Sequence, residues 1–277
     1  MSDAPKAESI SEPTFVLPSA PTRPRRHRAT ADIVFVLDAS DSMEPMLEGV
    51  KESIGKLADT LRFDLSRDWD FRLDFLAHAC GNDRFLCRSV RMDVSVLDAL
   101  YLGNPVLASR CFTQSVIEFK QALAEVRTGG DEMPLAALDI ALDYPWRDAR
   151  ECRRAVVLLT DEAVETGINV AAQRAHVPEL VNKIHAKRVK LFIVAPESEI
   201  FYRLAMADGC EYEVVPDSGN GLAGLDFSKL MESVGKSVSA SQSVLPGDDA
   251  PLPLFGQERW RATGDETSIL GVDRKVS

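Results

Sequence analysis

The chain lacks most of the short signatures by which chemistry announces itself. It has no C-x-x-C pair, and its five cysteines, Cys80, Cys87, Cys111, Cys152 and Cys210, are odd in number and scattered, with no histidine at zinc-site spacing. That pattern fits free thiols in a reducing compartment rather than a disulfide framework or a structural zinc site. No Walker-type glycine loop, no G-x-S-x-G elbow and no H-E-x-x-H is present, which removes the commonest nucleotide-hydrolysing, serine-hydrolase and metalloprotease readings. Long apolar runs are missing too: nothing approaches the roughly 20 residues of a membrane span, and residues 1–28 have no apolar centre of the kind a signal peptide needs. The expectation is a cytoplasmic protein that does not engage a membrane. A surplus of positive charge is absent as well. The net charge of −11 argues against nucleic acid as a partner, because phosphate contacts need a concentrated basic surface.

What is present is a chain of 277 residues that can bury a sizeable core. Residues 1–30 hold Pro5, Pro13, Pro18, Pro21 and Pro24 with few large apolar side chains, and they read as a disordered tail ending in the basic run Arg23–Arg28. Residues 31–241 read as one domain, and residues 242–277 as a flexible tail rich in Ser, Pro, Gly and acids. Within that tail, Leu252, Leu254, Phe255 and Trp260 are apolar enough to pack on a neighbour.

The domain is organised around Asp32–Leu47. Ile33 to Leu37 are apolar without alternation, as in a strand covered on both faces of a parallel sheet. Asp38, Ser40 and Ser42 follow at once, and then Met43, Met46, Leu47, Val50, Ile54, Leu57 and Leu61 trace the buried stripe of a helix. A second buried strand runs through Ala155–Leu159 into Thr160-Asp161. Between the two, from Phe112, a helix with Val116, Phe119, Leu123 and Val126 on its inner face stops at Thr128-Gly129-Gly130, and Asp131 precedes a helix begun by Pro134. Residues 69–77 alternate apolar with charged, like a strand nearer the sheet edge, and residues 84–92 read as its antiparallel hairpin partner, with Cys80 and Cys87 facing across it. Further strands are expected at Val189–Ala195 and Glu211–Val215, and helices at Glu179–His185, at Ile200–Met206 and after Asp226. Alternating strands and helices imply an α/β fold, Rossmann-like, with a mostly parallel sheet, helices on both faces and one antiparallel edge strand.

Carboxylates and hydroxyls at strand ends stand where open α/β sheets bind ligands, and they are the hard oxygen donors that magnesium prefers. The spacing D-x-S-x-S on a strand-to-helix turn, followed in order by G-G-D-E and L-L-T-D-E, resembles the metal-ion-dependent adhesion motif of the von Willebrand factor A family over about residues 31–240. The resemblance implies a site for Mg2+, or Mn2+ or Ca2+, in which Ser40 and Ser42 are direct ligands, Asp38 and Asp161 hold coordinating waters, and Asp131 takes the second-loop position, with Thr128 as the alternative. Asp131 and Glu162 stand where many members have Thr and Gly. The resemblance also implies a non-catalytic protein–protein interaction module whose partner offers an acidic side chain to the ion. The order of elements looks most like stand-alone bacterial proteins of the tellurium-resistance-associated type, found beside kinases and phosphatases in stress-response or phage-conflict systems. Two other readings remain open. One is a magnesium-dependent phosphatase of the haloacid-dehalogenase type, although Ser40 stands where that chemistry needs a second Asp as general acid. The other is a self-assembling scaffold, with an acidic tail residue such as Asp248 or Glu266 reaching the site of another copy. For His176 and His185 the sequence offers no carboxylate partner, and Ser42 has a competing reading as a plain helix cap.

Overall fold

The structure, a computed structural model of the chain, describes residues 27–62, 67–79, 111–130, 132–207, 210–216 and 222–240. Several expectations therefore lie outside the described residues: most of the first tail and all of the second, the hairpin partner at 84–92, the pair Cys80 and Cys87, and Asp131.

Five strands, β1 (His27–Asp38), β2 (Arg67–His78), β3 (Cys152–Leu159), β4 (Val189–Ala195) and β5 (Cys210–Val214), form one sheet in the order β2-β1-β3-β4-β5. Every pairing in this sheet is parallel. The antiparallel edge strand expected from the sequence is not among the described strands; the one antiparallel pairing described is a single bridge between Leu73 and Thr113. β1 begins at His27, inside the segment 1–30 assigned to the tail, because residues 27–30 continue the ladder with residues 67–70.

The unbroken apolar runs follow from burial on both faces. Ile33, Phe35 and Leu37 of β1 join Ala155, Val157 and Leu159 of β3 in one core, while Val34, Val36, Val156 and Leu158 point into the other. The first core is closed by α1 (Glu44–Arg62), α2 (Val116–Leu123) and the C-terminal helix α6 (Phe227–Ala240). The second is closed by α3 (Pro134–Leu142), α4 (Val170–Lys187) and α5 (Glu199–Ala205). Pro134 fills the first helical position of α3 as expected, and the Asp226 carboxylate caps α6 by accepting from the Lys229 N–H at 3.0 Å. No helix among the described residues is long and apolar enough to cross a membrane.

β2 lies at one end of the described sheet, and its face toward the second core is mostly polar, with Leu76 the apolar exception. On that face Arg72 meets the fully buried Asp32 of β1 through Nε and Nη2 at 2.8 and 2.6 Å. Arg147 adds its backbone N–H and Nε, each at 2.8 Å. This pair of guanidiniums satisfies the buried carboxylate and ties the connection after α3 to the amino-terminal half of the sheet.

The chain leaves β1 for β2 on one side and later returns to place β3 on the other. The strand order therefore reverses between β1 and β3, and a crevice opens beyond their carboxyl ends.

Candidate metal centre

Asp38 is the last residue of β1 and is fully buried. Ala39 follows as a clamp: its N–H donates to the His78 carbonyl at the end of β2, and its own carbonyl accepts from the Gly129 N–H, both at 2.8 Å. The second loop is thus pinned to the first by backbone alone. Gly129 and Gly130 have φ of 132° and 99°, a region that a side chain would strain, which explains the paired glycines.

Ser40 then opens a short 3-10 turn, Asp41–Met43, that leads into α1. It occupies the N-cap position, yet its side chain makes no capping bond; its hydroxyl lies 3.3 Å from that of Ser42 instead. Ser42 lies inside the turn rather than at its cap, so helix capping does not account for either hydroxyl. Ser40 is buried and Ser42 half-buried, while the neighbouring Asp41 and Glu44 are exposed.

At the end of β3, Thr160 and Asp161 are both buried. The Thr160 hydroxyl donates to Asp38 Oδ2 at 2.7 Å, and the Ser40 N–H donates to Asp38 Oδ1 at 2.9 Å. Burial nevertheless pushes the Asp38 carboxyl up to about 6, held back by these hydrogen bonds and reinforced by the negative charge of Asp161. No Lys or Arg among the described residues is a main influence on Asp38. Two buried carboxylates within electrostatic range and two hydroxyls facing each other make a hard, electron-rich set lacking positive charge. That set fits a divalent cation of the magnesium or calcium type. Among the described residues no three His, Cys, Asp or Glu side chains form a metal cluster, so any ion here would need the serine hydroxyls.

The structure thus brings Asp38, Ser40, Ser42 and Asp161 to one rim. Asp131 lies outside the described residues; its neighbour Glu132 is described, with its carbonyl 3.7 Å from where a Cβ on Gly167 would stand, which puts the loop before α3 against the connection after β3. Thr128 is half-buried.

One residue of the rim, Thr160, carries a role that the sequence did not assign. Thr160 stood in plain view as a polar residue ending an apolar run, but its tie to Asp38 spans 122 positions. His78, in register with Asp38, is buried, and neither ring nitrogen has a hydrogen-bond partner among the described residues. Burial pushes its imidazole down to about 3, so it stays neutral. Away from the rim, His176 departs from expectation: it faces Glu179 at 3.1 Å and Asp139 at 3.6 Å, beside Lys183, which bridges Asp139 and Asp143 between α3 and α4.

No protein-family model matches the chain, and neither does any curated protein. Among solved structures, the chain is similar to a von Willebrand factor type A protein from Catenulispora acidiphila, at 18% identity over 76% of this chain, with a TM-score of 0.49. The match covers 43% of that protein, so this chain spans less than half its length.

Proposed function

We propose that the rim holds one divalent cation, Mg2+ or in its place Mn2+ or Ca2+, and that the chain is a metal-dependent protein–protein interaction module rather than an enzyme. The observation that carries the reading is the juxtaposition of the Ser40 and Ser42 hydroxyls, 3.3 Å apart and unused as caps, with a buried aspartate whose proton affinity is raised by burial. Ser40 and Ser42 would bind the ion directly. Asp38 and Asp161 would orient its waters and balance its charge, and Asp131 would serve from the second loop, with Thr128 as the alternative. When bound, the ion supplies a Lewis-acidic position at the rim for an acidic side chain of the partner.

The protein's own part is to pre-set the donors. Backbone bonds from Ala39 to His78 and Gly129 fix the first loop between its neighbours, so little ordering remains to be done on binding. Glu162, where many members of the resembled family carry Gly, adds negative charge beside Asp161 and would weaken the ion as an electrophile, which favours modest, reversible partner affinity. A kinase or phosphatase of a bacterial stress-response or phage-conflict system, acting in the cytoplasm, is the partner class that the sequence resemblance suggests.

Thermal melting in Mg2+ and in chelator tests the reading. The wild type is expected to melt higher with Mg2+, by the equivalent of about 2.7 kcal/mol at a hundredfold excess over Kd, and Ser40→Ala is expected to abolish the difference. Equal melting of the wild type in both conditions, with Mn2+ and Ca2+ also without effect, would remove the basis for a metal centre.

A further inference from the structure

We infer that Thr160 is a positioning residue of this centre, the group that holds the Asp38 carboxylate correctly turned toward the ion; the inference rests on the metal reading above. The direction of its hydrogen bonds is set by chemistry. The Glu162 backbone N–H can only donate, and it points to Thr160 Oγ1 at 3.3 Å, so there the hydroxyl accepts. Its one proton then goes to Asp38 Oδ2, 2.7 Å away. On the other side the Ser40 N–H, also a donor only, takes Oδ1 at 2.9 Å. Each carboxylate oxygen receives at least one fixed protein donor and keeps lone-pair capacity for the ion or its waters.

Thr160 is itself rigid. Its N–H donates to the Val194 carbonyl at 3.1 Å, it follows Leu159, which is in register with Leu37, and its side chain is fully buried. Packing alone does not call for a hydroxyl here, since β3 up to this point is filled by Ala155, Val156, Val157, Leu158 and Leu159. A valine would keep the shape and lose the donor. Groups that orient metal-binding side chains from behind commonly change affinity by about 10–100-fold when removed.

The test is Mn2+ binding by the full chain, followed by calorimetry and by loss of the free-ion paramagnetic resonance signal, in wild type, Thr160→Val and Thr160→Ser. The expected result is Mn2+ affinity about 10–100-fold weaker in Thr160→Val, close to wild type in Thr160→Ser, with unchanged circular dichroism in both. Thr160→Ala takes the place of the valine variant if that variant does not fold. Wild-type affinity in the valine or alanine variant would overturn the inference and leave the metal centre standing. Equal loss in the serine variant would show that the methyl group, not the hydroxyl, matters and would overturn it too. A wild-type chain that binds no Mn2+ would overturn both readings together.

Discussion

Two aspartates on the same strand show how environment sets the behaviour of a buried carboxylate. Burial alone would raise Asp32, but the Arg72 and Arg147 hydrogen bonds outweigh it and hold the group below its ordinary value. Asp38 has no such cation, and burial lifts it to about 6. The two should respond oppositely. Asp32→Asn leaves two guanidiniums half-paired and is expected to cost about 3–5 kcal/mol; because the folded value is depressed, that cost is present at neutral pH and shrinks as pH falls below about 4. For Asp38 the folded form holds its proton longer than the unfolded chain. Stability of the metal-free protein should therefore fall as pH rises from about 4 to about 6, by up to about 3 kcal/mol, and Asp38→Asn should lack that decline. Urea unfolding of both variants across pH 3–8 in chelator measures the two slopes. Mn2+ affinity should move the other way, weakening by up to about tenfold per unit as pH drops below about 6, since a proton and the ion compete for one carboxylate. The motif residues Asp38, Ser40, Ser42 and Asp161 were legible because they are contiguous with strand ends. The Asp32 pairing and the Thr160 bond were not, since their partners come from 40, 115 and 122 positions away.

Among the elements, those buried on both sides were the easiest to read. β4 matches its expected span, Val189–Ala195, because each of its seven residues is buried and all but Lys190 are apolar. α4 was the least legible: it runs from Val170 to Lys187, whereas only Glu179–His185 reads as helix in the sequence. Its first half is rich in small residues and largely exposed, and Pro178 looks like a break; in the structure, Val177, Leu180 and Ile184 supply its apolar buried contacts. The packing of α1 on α6 also eluded sequence reasoning, because it depends on small residues. A Cβ on Gly49 would stand 2.2 Å from the Phe227 ring, and one on Gly235 would stand 2.9 Å from Thr60, whereas Gly55 has open space around it. Gly55→Ala should accordingly stabilise the protein by up to about 1 kcal/mol through helix propensity. Gly49→Ala gains the same propensity but overpacks the interface, and a net loss of about 1–2 kcal/mol is expected. Chemical denaturation of the two variants side by side reads the difference in sign.

For the molecule as a whole, the strand order decides where the crevice lies. The reversal between β1 and β3 opens a crevice, and the loops that reach it come from residues 38–42, 128–130 and 160–162, a set no single stretch of sequence contains. Their backbone and hydroxyl ties draw those loops together, with Gly129 bonded to Ala39 and Thr160 to Asp38. The excess of negative charge, −11 over the chain, raises the local concentration of cations around the protein. The central claim is that these loops share one ion, and anomalous diffraction from a crystal of the full chain grown with Mn2+ tests it most directly. A single peak within ligand distance, about 2.1–2.3 Å, of both serine hydroxyls, with Asp131 and Asp161 turned toward it, is the predicted result. A crystal with no peak at this rim, or with the Asp131 and Asp161 side chains more than about 10 Å from the hydroxyls, far beyond any coordination sphere, would contradict it.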